Sequence, residues 1–72
     1  ANIAEGSAHK SQKELLRYLE IANSSLSELE TELIIAQELK YLPKDTPLQH
    51  QLDKVSRTLN GLIRYIRGKL NE

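Results

Sequence analysis

Cysteine is absent from the 72 residues, so the chain has no disulfide and no thiolate to act as nucleophile or metal ligand. Methionine is missing too, even at position 1, which fits either initiator removal before Ala1 or a piece that starts inside a longer chain. No excess of one charge exists: ten Lys and Arg balance ten Asp and Glu, leaving no global field to attract nucleic acid or a membrane. No apolar run is long enough to span a bilayer, and no signal-peptide pattern leads the chain. The expectation is a soluble, cytoplasmic protein with no membrane partner. At this length a chain buries only about 60% of its unfolded surface, and a single core seldom supplies more than about 3–5 kcal/mol unaided. With disulfides excluded, the remaining stabilisers are a metal, oligomerisation or very regular helix packing.

What the chain does have is two long stretches of helical pattern. Ser11-Gln12-Lys13-Glu14 fits the S-x-x-E capping box, which predicts a helix start there. Leu15, Leu19, Ala22, Leu26, Leu29, Leu33 and Ala36 then follow at alternating spacings of four and three, a heptad seam with no Gly or Pro in it. Pro43 ends the run, because the residue before proline is driven out of the α region. A second helix is announced by Thr46-Pro47-Leu48-Gln49, with threonine as cap, proline at the first helical position and glutamine at N3. Its seam is Leu48, Leu52, Val55, Leu59, Leu62 and Ile66. Gly61 lies within it at a cost of about 1 kcal/mol relative to Ala, marking either a close helix approach or a tolerated flaw, and Gly68 is expected to loosen the end. The short connection makes the helices antiparallel neighbours.

The fold expectation is therefore all-α, a single domain over 1–72. A long antiparallel hairpin spans about 12–41 and 47–69, with the loop at 42–46 and the second helix ending near 70. Residues 1–10, opening "ANIAEGSAHK", read as the end of a preceding element whose body is absent, followed by a turn into Ser11; the family resemblance given below implies that this element is a helix broken at Gly6, with Ile3 and Ala4 packing inward. The first helix also carries apolar residues off its seam. Ile21, Ile35 and Leu39 lie roughly opposite the seam, and Leu16 and Ile34 lie to one side. A helix touching one partner keeps its back polar, so these five residues call for further helices, from other chains or from sequence absent here, and are the candidate oligomer interface. Scattered surface aliphatics are the plainer alternative.

Little catalytic chemistry is encoded. His9 and His50 belong to no Glu-x-x-His or His-x-x-x-His pair, so a carboxylate-bridged metal site is not expected. Glu28 and Glu32 share a face suited to a hard cation, although a solvated acidic face accounts for them more simply. Ser24, Ser25 and Ser27 have no base at a recognisable spacing, and no glycine-rich phosphate loop occurs. The chain calls for no cofactor and no enzyme.

Charge is distributed unevenly. Residues 11–40 hold three cations against six carboxylates, a net of −3, and residues 47–69 hold five cations against one carboxylate, a net of +4. On a helical wheel His50, Lys54, Arg57 and Arg64 line up opposite the second seam. An outward basic stripe is what phosphate contact requires. Lys54, Arg57, Arg64 and Arg67 are the candidate contacts, joined by His9 and Lys10, and Tyr65 at the edge is placed to stack on an unpaired base. Two other readings stay open: a solvated face whose cations favour the helix C-terminus, or a basic helix that meets the acidic helix of a neighbouring subunit.

Asn2 to Gly6 ("NIAEG"), then Ser11, Lys13 to Leu15, Arg17 to Leu19, Ile21, Ala22, the Ser25–Leu33 block "SLSELETEL", Ala36, Glu38, Leu39, Tyr41, Leu42 and later "LNGLI" at Leu59 to Ile63 carry a resemblance. They resemble the four-helix-bundle proteins first noticed as open reading frames in intervening sequences of bacterial large-subunit ribosomal RNA genes. The resemblance implies an up-down four-helix bundle whose first helix, and most of whose second, are absent from this chain. It also implies a homo-oligomer, typically a pentameric ring, with a dimer of hairpins as the alternative. A relative of the family, the accessory variability determinant of diversity-generating retroelements, binds nucleic acid and a reverse transcriptase. Two departures remove cations: Ala8-His9 stands where the family often has glycine-arginine, and Asn23-Ser24 where it often has arginine-glycine. The function expected is a non-enzymatic oligomeric scaffold with weak electrostatic RNA affinity, or a purely structural interaction module.

Overall fold

The computed structural model describes the backbone of residues 2–72 and the side chains of residues 8–72. Two helices, α1 (Asn2–Glu38) and α2 (Pro47–Leu70), pack against each other as an antiparallel hairpin in a rod of 58 × 15 × 15 Å. The direction is fixed by pairs at both ends. The Gln37 amide reaches Gln49 near the loop, and Arg67 reaches Glu20 near the far end.

Helix α1 runs straight through the segment where the sequence places a turn. Ser11 lies inside the helix and not at its start, so the capping box has no orphan amides to satisfy there. The S-x-x-E pattern is equally compatible with a helix interior when the preceding residues continue the backbone ladder. Helix continuity costs only the roughly 1 kcal/mol of one glycine, Gly6. The expected inward packing of Ile3 and Ala4 concerns side chains outside the described residues.

The other end of α1 comes earlier than residue 41. Lys40 adopts φ 65°, the Tyr41 N–H donates to Ala36 O at 2.9 Å and the Lys40 N–H to Gln37 O at 3.0 Å. That pair of bonds is a Schellman motif with lysine at the left-handed position usually held by glycine. Pro43 had pointed to a stop, but the stop is made three residues before it by this reversal.

Thr46 caps α2 as expected, with extended φ/ψ of −128°/143°, and its hydroxyl accepts from the Leu48 N–H at 2.9 Å. The reciprocal half of the expected capping box is missing. Gln49 turns its amide oxygen to Gln37 Nε2 at 3.3 Å instead of reaching back to the cap. Gln37 is only 8% exposed, and its NH2 also donates to Pro43 O and Lys44 O, each at 3.2 Å. One buried amide thus ties the end of α1, the loop and the first turn of α2 together. Helix α2 continues through Gly68 to Leu70.

This clamp rotates the seam. The buried residues are Leu33, Gln37, Leu52, Ile63 and Ile66, and the half-buried ones include Leu16, Leu19, Asn23, Leu26 and Glu30 on α1 and Ser56, Leu59 and Leu70 on α2. Each helix therefore contributes one row of its expected seam (Leu19, Leu26, Leu33 and Leu52, Leu59, Ile66) and a second row one position further round. The other expected row is left exposed on both helices apart from half-buried Ala36: Leu15 and Leu29 on α1, and Leu48, Val55 and Leu62 on α2. The cause is local, since Gln37 is satisfied only when its row faces α2. Asn23 and Glu30 in the same row are only half-buried, at the edge of the seam. A half-exposed Leu or Val forgoes about 1 kcal/mol of burial.

Candidate nucleic-acid interface

The two sides of the hairpin differ. On one side the exposed rows lie together and bound an apolar groove of about 430 Å³, lined by Ala22, Ser25, Leu26, Leu29, Val55 and Leu59. The other side carries an open polar cleft of about 500 Å³ lined by Glu30, His50, Asp53, Ser56 and Arg57. Cations useful for phosphate belong to the polar side and to the back of α2.

Lys54, Arg57 and Arg64 are exposed, at positions that successive turns of α2 bring onto its outer surface. Among the described residues Arg67 pairs with Glu20 at 3.4 Å, and the His50 imidazole lies 3.9 Å from the Asp45 carboxylate. Lys54, Arg57 and Arg64 therefore have no carboxylate partner there. Arg67 is different: its guanidinium also donates a hydrogen bond to Glu20, so it joins the two helices and is less available to a ligand than the sequence suggests. Arg57 shares its cleft with Glu30 and Asp53, which lowers the positive potential on that flank. Arg64 has no such neighbours lining a cavity.

His9 and Lys10 are exposed but are not gathered with the others. Arg67 is level with Glu20, so only the last few residues of α2 lie beyond that level, whereas α1 continues from Glu20 back to Asn2. Both residues occupy this overhang of α1, past the end of α2. Tyr65 is 60% exposed, and the Lys69 ammonium lies over its ring at 5.6 Å from the centroid. One face of the phenol ring is thus already partnered by a cation, and the other remains for stacking.

The residues expected at an oligomer interface divide. Ile21, Ile34, Ile35 and Leu39 are each more than half exposed. Leu16 is half-buried on the seam side of α1, so it packs within the hairpin and not on its outside. Sequence reasoning missed the exposed row Leu15, Leu29, Leu48, Val55 and Leu62, because it assigned those residues to the seam. The signal available was Gln37, a polar residue at a seam-adjacent position twelve residues from a second glutamine.

No group of three or more His, Cys, Asp or Glu is placed to hold a metal ion among the described residues. Glu28 and Glu32 remain a pair on an exposed face. Among the described residues no helix is long and apolar enough to cross a membrane. Comparison with known proteins agrees with the motifs. No curated protein and no solved structure matches the chain. The family model for the 23S rRNA-intervening sequence protein matches residues 1–61, which spans α1, the loop and α2 as far as Gly61, and the chain belongs to that family.

Proposed function

We propose that the protein is a non-enzymatic helical adaptor that assembles as a homo-oligomer and contacts RNA phosphate through the outer face of α2. The observation that carries this reading is the run Lys54, Arg57 and Arg64, exposed and without carboxylate partners among the described residues, on a helix of net +4 in a chain of net zero. Membership of a family named for ribosomal RNA intervening sequences supports RNA as the nucleic acid. Assembly is supported by the apolar groove, which one hairpin cannot cover. The family resemblance favours rings of four-helix units.

Three phosphate contacts give a log–log salt slope of about −2 to −3. Affinity for a ribosomal RNA fragment should therefore fall roughly 20–40-fold between 50 and 200 mM salt. Arg57→Glu with Arg64→Glu should abolish the binding and leave helicity and assembly unchanged. Binding that ignores salt, or survives the double reversal, sinks the proposal. A second reading, a structural module whose partner is protein alone, is favoured by Glu30 and Asp53 beside Arg57. Its signature is loss of assembly in the same double variant.

A further inference from the structure

We infer that the polar cleft between α1 and α2 is a binding site for an unpaired guanine nucleotide, its base edge held by Glu30, Gln49 and Asp53 and its phosphate by Arg57. The inference rests on the RNA half of the proposed function and adds a base preference to it. The cleft lies on the side of the hairpin away from the apolar groove, so its occupancy is independent of what covers that groove.

The cleft has two parts that differ in chemistry. The outer part, about 500 Å³, is lined by His50, Ser56 and Arg57 together with Glu30 and Asp53. The same two carboxylates border a smaller recess of about 180 Å³, whose other walls are Leu33, Ile34, Leu52 and Gln49. The recess is the deeper part, since Leu33 and Leu52 are only 6% and 7% exposed. Acceptors and apolar carbon therefore surround the recess, and the guanidinium belongs to the outer part alone. A lysine or arginine of a protein partner would suit the recess but meet Arg57 at its mouth. A nucleotide suits both parts, because its flat base and its phosphate need opposite surroundings.

The polar groups select the base. A carboxylate only accepts hydrogen bonds. Gln49 Oε1 already accepts from Gln37 Nε2 at 3.3 Å, which leaves the Gln49 NH2 to donate. Gln49 and Asp53 lie one turn apart on one face of α2, so they present a donor beside a pair of acceptors. Guanine carries the complement: O6 accepts, and next to it N1–H and the N2 amino group donate side by side to one carboxylate. Adenine and cytosine each offer one amino donor beside a ring acceptor, and uracil one N–H between two carbonyls. Each of these satisfies only one carboxylate oxygen. Glu30 approaches from α1 and is placed for the second amino hydrogen. Among the described residues it is the one carboxylate that is not exposed, and neither it nor Asp53 has an ion-pair partner. A half-buried carboxylate without a partner does nothing for the stability of the hairpin, whereas a bound guanine gives it one.

The test uses short oligouridines whose central base is guanine, inosine, adenine or uracil, titrated against the full chain at low salt. The guanine oligomer should bind about tenfold more tightly than the adenine and uracil ones. Inosine, which lacks only the amino group, should fall between. Asp53→Asn exchanges an acceptor for a donor and removes a negative charge. It should loosen the guanine oligomer about tenfold and tighten the all-uracil one, whereas a purely electrostatic role for Asp53 would tighten both. Guanosine monophosphate as competitor separates the sources of the base. Displacement near the oligomer's own Kd assigns the site to a free nucleotide, and displacement only far above it assigns the site to RNA. Equal, salt-dependent affinity for all the oligomers overturns the guanine site and leaves phosphate contact standing, as does tighter guanine binding by Asp53→Asn. Failure to bind any oligomer overturns both. The base series on the unaltered chain decides the matter even if the variant misfolds.

Discussion

Replacing Gln37 by alanine tests how a hairpin with so small a core is held in one arrangement. The side chain is 8% exposed and faces three acceptors at 3.2–3.3 Å. Its amide has two hydrogens, so two bonds count at a time, each contributing a net of about 0.5–1.5 kcal/mol. Truncation also removes a buried methylene worth about 0.8 kcal/mol. Pro43 and Lys44 belong to an exposed loop, so water re-satisfies their carbonyls and keeps the cost in the lower half of the range. The expected loss is roughly 1.5–3 kcal/mol. A chain of this length has about 4–11 kcal/mol to lose, and the midpoint of thermal unfolding should fall on the order of 10 °C. Urea unfolding followed by circular dichroism at fixed protein concentration measures it, as a lower midpoint at unchanged slope. Gln37→Met keeps the length and removes the donors, so it should lose most of the same stability. Gln37→Glu adds a pH dependence. Its neutral carboxyl keeps one O–H to donate and its carboxylate keeps none, so folding raises its pKa, and the stability present at low pH is lost as pH rises through the carboxyl's folded range. A Gln37→Ala variant within 0.5 kcal/mol of the parent, or a Met variant equal to it, would refute the clamp.

Two other substitutions probe the backbone, both in the stabilising direction. Lys40→Gly relieves a left-handed lysine at φ 65° and should raise stability by about 0.5–1 kcal/mol after the entropy of glycine is subtracted; a loss in the same urea assay would mean the lysine side chain matters more than its backbone. Gly61→Ala should also stabilise, by up to about 1 kcal/mol, because an added Cβ meets nothing within 4 Å. A loss that deepens with protein concentration would instead reveal a neighbouring chain close to that position.

The heptad spacing made both helices and their antiparallel order legible, because a period of 3.5 with caps and Pro43 between two runs has few other solutions. The rotation of the helices was not legible. Both candidate seams share Leu19, Leu26, Leu33, Leu52, Leu59 and Ile66, and choosing between them depends on one amide finding two loop carbonyls. That contact depends on where the loop goes, and the loop depends on a lysine in a conformation lysine rarely adopts. The start of α1 was misplaced for a related reason: S-x-x-E reads as a cap only when a break precedes it, and Gly6 alone does not make one. Among the cations, exposure of Lys54, Arg57 and Arg64 followed from the wheel. The diversion of Arg67 to Glu20 is a contact between distant parts of the chain, which no local pattern records.

The hairpin topology has a practical consequence for how this protein can be attached to anything else. Helix α2 ends partway along α1, which runs on past it to Asn2, while the opposite pole of the rod is closed by the loop that Gln37 holds. A tag or tether following Leu70 therefore emerges against the flank of α1 and not at the loop. The closed pole stays bare, and it is the place to insert a probe that must not disturb whatever the termini carry.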